Sequence, residues 1–253
     1  GGKGVFAKEV QLAILDGRAD LAVHSAKDLT AVTVDGLSLA SVPERGDPRD
    51  ALVGARLEDL PEGAIVGTGS ARRRVQLAAM RPDLDIRGIR GNIATRLSLL
   101  DSMDAVVVAH AALERLELVD RAAQVFDVDE MVPQVAQGAL AIECRADDSA
   151  TAEILAAVEH APSRLRVDAE RAFLARLGGS CDLPAGAHAE FTAEGTVRLL
   201  GTLAPDAAGP VVRRSVESAA VPSRLVAAAE NLADDLLAAT RDASGPTREA
   251  AGR

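Results

Sequence analysis

Short apolar segments alternate with segments of helical periodicity over the first half of the chain, and this alternation limits the possible folds more than any other feature. Apolar residues recur at helical spacing in residues 5–15, and residues 19–24 form a short apolar run. The same order returns three times, with apolar runs at 64–67, 84–89 and 105–109. Because alternating strands and helices build parallel sheets covered on both faces, the pattern predicts an α/β fold.

Two segments rich in proline and charge interrupt this pattern, at residues 41–50 and 131–134. Two such crossings indicate two α/β lobes with a cleft between them. The apolar run 139–144 would then return the chain to the first lobe.

Beyond residue 160 the pattern changes to that of a small α+β domain. A helical segment at 163–177 is followed by short alternating runs at 187–191, 196–203 and 211–216, and by a helical segment at 222–239. Antiparallel strands with helices on one face fit that order. The predicted domains comprise residues 1–43 and 138–157 (domain 1), 46–132 (domain 2) and 160–253 (domain 3).

Charge and composition exclude several classes of partner. The 253-residue chain has a formal net charge of -10, no Trp or Tyr and only four Phe. An acidic protein without aromatic stacking platforms argues against nucleic-acid binding and against anionic membranes. No run approaches the ~18 uninterrupted apolar residues of a membrane helix. Two cysteines in different contexts make no disulfide framework, so we predict a soluble cytoplasmic protein.

One of these cysteines lies where a thiol is accessible. Cys181 occurs in Gly178-Gly179-Ser180-Cys181-Asp182-Leu183-Pro184, in which glycines and a proline favour an irregular loop. Cys144 ends the apolar run 139–144 and is predicted to be buried. Reactive cysteines occupy partly exposed sites, whereas buried structural ones are inert. Cys181 is therefore the candidate functional thiol.

The run His24-Ser25-Ala26-Lys27-Asp28 follows a predicted strand, at the carboxyl end where α/β sheets bind ligands. Two interpretations are open. Ser25 and Asp28 have the spacing of a helix capping box, which is a common local device. A capping box leaves Lys27 unexplained, and a Lys-Asp pair at a cleft could instead act on a cationic or N–H-bearing substrate.

A glycine turn, Gly67-Thr68-Gly69-Ser70, opens a helix whose first turn contains Arg72, Arg73 and Arg74. The helix dipole disfavours each cation there by about 0.3–1 kcal/mol, so an anion bound at this end would explain the arrangement. The alternative is that these arginines are solvated at a frayed helix end. The run lacks a dinucleotide fingerprint and a Walker lysine, which argues against nucleotide binding.

Further arginines occur in a similar context, with Arg87 and Arg90 near the next predicted strand and Arg96 in the following helix. Arg115 lies on a later helix, where an ion pair with neighbouring glutamates is the alternative. Arginine binds carboxylates bidentately, so these side chains predict a ligand with several carboxylates. The four histidines are scattered and no cysteine pair has zinc-finger spacing, so we predict no metal site.

Taken together, these runs resemble the porphobilinogen deaminase, or hydroxymethylbilane synthase, family. They occur in the family's order over nearly the whole chain, and the ordered set is specific although each run alone is weak. The matching runs are Gly1-Gly2-Lys3-Gly4-Val5-Phe6, His24-Ser25-Ala26-Lys27-Asp28, Asp47-Pro48-Arg49-Asp50-Ala51, Gly67-Thr68-Gly69-Ser70-Ala71-Arg72-Arg73, Arg90-Gly91-Asn92-Ile93-Ala94-Thr95-Arg96-Leu97, Gln137-Gly138-Ala139 through Cys144-Arg145, and Glu170-Arg171-Ala172-Phe173 through Cys181 to Pro184.

The resemblance implies a transferase of porphyrin and heme biosynthesis. Such an enzyme joins four porphobilinogen molecules head to tail onto a covalently bound dipyrromethane primer, releases ammonia at each step and frees the linear tetrapyrrole by hydrolysis. The implied fold has two lobes that resemble type II periplasmic binding proteins, with the site between them, and a third domain carrying the cysteine loop. The implied partner is porphobilinogen alone, bound by a monomer.

The resemblance also assigns roles to individual residues. Cys181 would hold the dipyrromethane cofactor through a thioether. Asp28 would be the catalytic residue, which interacts with pyrrole nitrogens and supports the azafulvene cation formed on deamination. Lys3 and Phe6 would belong to a loop over the cleft, although Phe6 could instead be a core residue. The residues implied to bind cofactor or substrate are Ser25, Lys27, Thr68, Ser70, Arg72, Arg73, Arg90, Arg96 and Arg115.

Three features depart from the family's pattern. The family has an amino-terminal strand and helix before the first residue here, so domain 1 is expected to lack them. Ala136 stands where the family usually has Gly, and Ser180 replaces the second glycine of a more frequent Gly-Gly-Cys. The last two substitutions are expected to alter local loop geometry more than chemistry.

Two other functions fit parts of this pattern. A noncatalytic two-lobed protein could close on a carboxylate ligand, but it would have no use for both Cys181 and the Lys27-Asp28 pair. The effector domain of a regulator would need a DNA-binding helix-turn-helix, and the sequence shows none.

Overall fold

Three sheets organise the molecule, each with its own helices. The structure is a computed structural model that describes residues 5–179, 183–206 and 209–244, with backbone alone at 5, 6 and 244. None of the described helices combines the length and apolar content that crossing a bilayer requires.

The helices are α1 (Val5–Leu15), α2 (Ala71–Met80), α3 (Ile93–Ser98), α4 (His110–Glu114), α5 (Ser149–Leu155), α6 (Ala161–Arg176) and α7 (Pro222–Ser244). The strands are β1 (Leu21–Ser25), β2 (Leu37–Ser41), β3 (Asp50–Val53), β4 (Ile65–Gly67), β5 (Asp85–Arg87), β6 (Ala105–Ala109), β7 (Ala122–Val125), β8 (Leu140–Arg145), β9 (Ala185–Phe191), β10 (Thr196–Leu203) and β11 (Val212–Ala219).

The sheet of the first lobe has the order β1-β8-β2, and β8 is antiparallel to both neighbours. The predicted parallel sheet is therefore wrong for the described part of this lobe. The reason is the route of the chain, because β8 returns from the second lobe and enters the sheet in the opposite direction. Helices α1 and α5 pack against this sheet, and Ile14 of α1 is buried together with Ala22 and Leu37 of the sheet.

The sheet of the second lobe has the order β5-β4-β6-β3-β7. Strand β4 is parallel to β5 and β6, which confirms the prediction for these three strands. Strand β3 is antiparallel to β6 and β7, which the sequence did not predict. Strand β3 begins at Asp50, a fully buried carboxylate, and this charged start hid a strand inside the predicted crossing.

The third domain is an antiparallel sheet of order β11-β10-β9 covered by two helices. Helices α6 and α7 pack against each other, α6 also packs on β9 and α7 on β10 and β11. Phe173, Leu199 and Leu236 are fully buried between these layers. The predicted small α+β domain is confirmed, and with the two α/β lobes the predicted fold class holds.

A buried ion pair joins the three parts of the fold. Arg45, in the first crossing, places its Nη1 2.6 Å from Oε1 of Glu170 on α6. Glu170 also accepts hydrogen bonds from the backbone N of Ala136 (2.7 Å) and of Ala189 (2.9 Å). Burial alone would raise the pKa of Glu170, but Arg45 and His188 outweigh it and lower the pKa to about 2. The carboxylate thus stays ionised and ties both crossings to β9.

Ala136 adopts a backbone conformation that favours glycine. Its φ is 58°, in the left-handed region, which costs an L-residue with a Cβ about 1–2 kcal/mol. The hydrogen bond from its N to Glu170 holds it there. The effect of Ala136 on loop geometry, expected from the sequence, is therefore a left-handed backbone conformation at a residue with a Cβ.

Candidate active site

A cleft of about 340 Å³ lies between the first and second lobes, beside the second crossing. The 3-10 helix after β1 contributes one wall, and the amino-terminal turns of α2 and α3 contribute the other. Among the predicted site residues, six line this cleft. Its lining consists of Lys27, Asp28, Gly69, Ser70, Arg72, Arg73, Gly91, Asn92, Ile93, Arg96, Gln134 and Gln137.

Asp28 is free to meet a ligand. It ends the 3-10 helix Ala26–Asp28, and its side chain is exposed. No hydrogen bond or ion pair to another described residue holds its carboxylate. Ser25 precedes this helix but its side chain makes no capping hydrogen bond, so the capping-box interpretation of Ser25 and Asp28 is wrong.

Lys27 carries a weakened positive charge. Burial lowers its pKa to about 8, and the nearby charge of Arg73 contributes in the same direction, against the opposing effects of Asp28 and Asp50. Its Nζ lies 3.4 Å from Oε1 of Gln137. At neutral pH the ammonium is mostly protonated and incompletely neutralised, so an anionic ligand beside it would be favoured.

Arg72 and Arg73 are buried, so the alternative of solvated arginines at a frayed helix end is wrong. The anion that compensates them belongs to the chain. Nη1 of Arg72 lies 2.8 Å from Oδ2 of Asp50, and Nη2 of Arg73 lies 2.7 Å from its Oδ1. Burial alone would raise the pKa of Asp50, but the two guanidiniums hold it well below its usual range. Two cations and one carboxylate leave this wall with net positive charge.

Arg96 extends the positive wall from α3. Its Nε donates to the carbonyl oxygen of Gly91 at 3.0 Å, and Asn92 caps the helix by accepting from the backbone N of Thr95 at 2.9 Å. Burial lowers the pKa of Arg96, and the charge of Arg73 lowers it further, while Asp28 opposes both. The lowered pKa indicates a guanidinium that lacks full compensation by the protein.

Four predicted residues lie outside this lining. Ser25 and Arg115 line a smaller adjoining cavity of about 140 Å³, which also touches Lys27. Arg115 donates from Nη2 to the carbonyl oxygen of Gly138 at 3.2 Å, and among the described residues it forms no ion pair with a glutamate. Thr68 is buried, and its Oγ1 accepts from the backbone N of Ser70 at 3.2 Å, so it shapes the turn. Arg90 is exposed.

Sequence comparisons with known protein families cover most of the chain. The sequence model described as porphobilinogen deaminase, dipyromethane cofactor binding domain, matches residues 1–153, and the model of the porphobilinogen deaminase C-terminal domain matches residues 164–231. The chain belongs to the porphobilinogen deaminase family. The porphobilinogen deaminase of Syntrophotalea carbinolica is 45% identical over 247 residues, which cover 96% of this chain and 78% of that protein. The recognition made from the sequence is confirmed.

Solved structures with weaker similarity include two periplasmic binding proteins. An arginine-specific one from Salmonella typhimurium is 17% identical, covers 58% of this chain and 68% of its own, and has a TM-score of 0.35. A putative sulfonate-binding one from Methylobacillus flagellatus KT is 10% identical, covers 66% of this chain and 52% of its own, and has a TM-score of 0.36.

Sequence reasoning missed two buried residues that hold the arginines of the second-lobe wall in place. Asp50 was not recognised as the partner of Arg72 and Arg73. Gln137 is fully buried and donates from Nε2 to Oδ1 of Asp50 at 2.8 Å and to the carbonyl oxygen of Pro48 at 2.7 Å. Both residues fall in runs that carry the resemblance, which was the signal available.

The predicted attachment residue Cys181 lies outside the described residues, as do Lys3 and the side chain of Phe6. The described residues on either side of 180–182 contact both lobes. A Cβ on Gly179 would lie 3.8 Å from Cβ of Ala31, in the first lobe. A Cβ on Gly186 would lie 2.8 Å from Cδ of Arg72. The chain therefore passes close to the first lobe before this segment and close to the cleft residue Arg72 after it.

The residues present fit a dipyrromethane. Such a group carries four carboxylates on two pyrroles with N–H donors. The cleft offers Lys27, Arg72, Arg73 and Arg96 for the carboxylates and the unpaired carboxylate of Asp28 for the N–H groups. Nε of Arg72 is buried without a hydrogen-bond partner among the described residues, so a donor is left for a ligand.

Proposed function

We propose that this chain condenses four porphobilinogen molecules head to tail onto a dipyrromethane held by Cys181, with loss of ammonia at each step and hydrolytic release of the linear tetrapyrrole. The observation that carries the proposal is the setting of Asp28. It is the only carboxylate among the described lining residues, it has no described partner, and the other charged residues of the lining are cations.

Asp28 would act on each incoming substrate at two points. Loss of ammonia from the aminomethyl group leaves a cation conjugated with the pyrrole nitrogen, and a carboxylate close to that N–H lowers the energy of the developing charge. The same carboxylate can accept the proton lost from the pyrrole carbon that attacks. When bound, the dipyrromethane supplies that attacking carbon for the first condensation. Asp28 then returns the proton to solvent, where the released ammonia takes it up.

The cationic wall would position the substrate. Porphobilinogen has two carboxylates, and each condensation adds two more to the bound chain. Arg96 presents a guanidinium for carboxylate contacts and Arg73 adds its positive charge to the wall, while Ser25 and Arg115 in the adjoining cavity extend the set. Holding the reacting carbons in line contributes to the rate by removing the entropy cost of alignment.

Exchange of Asp28 for Asn tests the catalytic assignment. Asp28→Asn keeps the shape of an exposed side chain, so we expect normal folding, near-complete loss of turnover and little change in the affinity for substrate. Asp35→Asn is the matched control, because Asp35 is an exposed carboxylate of the same lobe away from the cleft. Steady-state kinetics on the cofactor-loaded protein measures both. Unchanged turnover in Asp28→Asn would refute the role.

Denaturing mass spectrometry of the intact protein tests the anchor. We expect a covalent mass increase equal to two pyrrole units on the active protein and its absence in Cys181→Ser. Cys144→Ser is the control, because Cys144 is buried and should not affect the adduct. A noncatalytic anion-binding protein would instead carry unmodified thiols while binding porphobilinogen. That outcome in a correctly folded preparation would reject the proposed enzymatic function.

A cytoplasmic location and a monomeric state, both expected from the sequence, complete the proposal. Light scattering coupled to size exclusion and fractionation of cells test them directly.

A further inference from the structure

A histidine and two carboxylates that are not part of the cleft lining lie close together. Nδ1 of His110, the first residue of α4, lies 3.4 Å from Oδ2 of Asp47 and 3.6 Å from Oε1 of Glu114. His110 is buried, with 7% of its surface area exposed. Its Nδ1 has no hydrogen-bond partner among the described residues. A buried ring nitrogen therefore points at two carboxylates without bonding to either.

We propose that Asp47, His110 and Glu114 form a divalent-cation site, with zinc as the fitting ion. One atom from each of the three residues lies within 4.8 Å of the others. Zinc binds nitrogen and oxygen at about 2.1 Å, so the edge of its coordination tetrahedron is ~3.4 Å. The two distances from Nδ1, 3.4 and 3.6 Å, are close to this edge, and the cation would give the buried Nδ1 the partner that it lacks among the described residues.

The ligand set favours zinc over harder cations. An imidazole nitrogen suits zinc and other late first-row ions, whereas magnesium and calcium take oxygen ligands. Three protein ligands leave a fourth position for water. The sequence did not predict this ligand set, because Asp47 lies in the first crossing and is far along the chain from the other two residues, which lie on α4.

Arg49 sets the strength of the site. Its Nε and Nη2 donate to Oδ2 of Asp47 at 2.9 and 2.6 Å, so a cation would have to share this oxygen with the guanidinium. Its positive charge also opposes a cation, so the affinity should be moderate. Two carboxylates and one guanidinium leave a net negative charge for the ion.

The position of the site gives it a consequence. Gly46 donates its backbone N to the carbonyl oxygen of Gly138 at 3.2 Å, which joins the two crossings. A Cβ on Gly46 would lie 3.6 Å from Oε2 of Glu114. A bound cation would thus tie α4 to the segments that connect the two lobes. We expect it to slow turnover, and this effect on activity rests on the proposed function whereas the binding does not.

Calorimetric titration of the cofactor-loaded protein with zinc tests the site. We expect one saturable zinc ion per chain and an affinity lowered more than about tenfold in His110→Ala. His160→Ala is the matched control and should bind as the wild type does. Glu114→Gln keeps an exposed side chain and its shape, so it carries the test if His110→Ala fails to fold.

Three outcomes would overturn the site. The first is the absence of saturable zinc binding, and the second is binding by both His110→Ala and Glu114→Gln that is as tight as that of the wild type. The third is competition by calcium as strong as that by zinc, which would indicate an acidic patch without a histidine ligand. If zinc inhibits turnover of the wild type but not of His110→Ala, the expected effect of the bound cation on turnover is supported. If the wild type and all variants lack activity but the wild type binds zinc, the proposed function is rejected and the proposed metal site is not.

Discussion

Both walls of the cleft carry charged side chains, but the fold holds these side chains differently on each wall. On the second-lobe wall, Arg72 and Arg73 are buried and fixed by Asp50, which is itself fixed by Gln137. On the first-lobe wall, Asp28 is exposed and no described residue holds its carboxylate. A charge that is anchored by the fold can position a ligand, whereas one that is left free can change partners during a reaction. We therefore assign ligand binding to the anchored arginines and the chemical step to the free carboxylate of Asp28.

The largest expected effect comes from removing the anchor. Asp50→Asn leaves two buried guanidiniums without their counter-charge, and breaking a buried ion pair in this way costs about 3–5 kcal/mol of unfolding free energy. Asp28→Asn, on the free wall, should change the unfolding free energy by less than about 0.5 kcal/mol. Urea unfolding followed by circular dichroism measures both. Equal destabilisation by the two variants would show that the walls do not differ as described.

A smaller effect is expected from the titration of Lys27. Its pKa of about 8 means that the ammonium loses its proton as the pH rises through this value, far below the usual range for lysine. The loss removes a positive charge from the cleft, so kcat/KM for a polycarboxylate substrate should fall roughly tenfold above this pH. Lys27→Arg stays charged throughout and should lack the fall. A pH profile with the same inflection in both proteins would assign it to another group.

The contrast between the walls also explains what the sequence could predict. Alternating periodicity predicts β4, β5 and β6 and the third domain, because local patterns encode buried faces. It does not predict β3, since a strand that starts with a buried aspartate becomes plausible only when Arg72 and Arg73 are known to compensate it. The arginines could be predicted as cleft residues from the helix end on which they lie. Their partner could not, because a tertiary contact decides it.

The smallest effect separates the starts of two short helices. Asn92 caps α3 by accepting from the backbone N of Thr95, whereas Ser25 makes no such bond before the 3-10 helix at Ala26–Asp28. We expect Asn92→Ala to cost about 1 kcal/mol of unfolding free energy and Ser25→Ala to cost less than about 0.5 kcal/mol. Thermal or urea unfolding of the pair measures the difference.

The pair also separates stability from ligand binding. Because Ser25 lines the cavity beside Lys27 and Arg115, Ser25→Ala should raise KM while leaving the fold intact. A loss of stability in Ser25→Ala as large as in Asn92→Ala would restore the capping role for Ser25. It would also weaken the inference that Asp28 is free, since a capping box would employ the carboxylate of Asp28 as well.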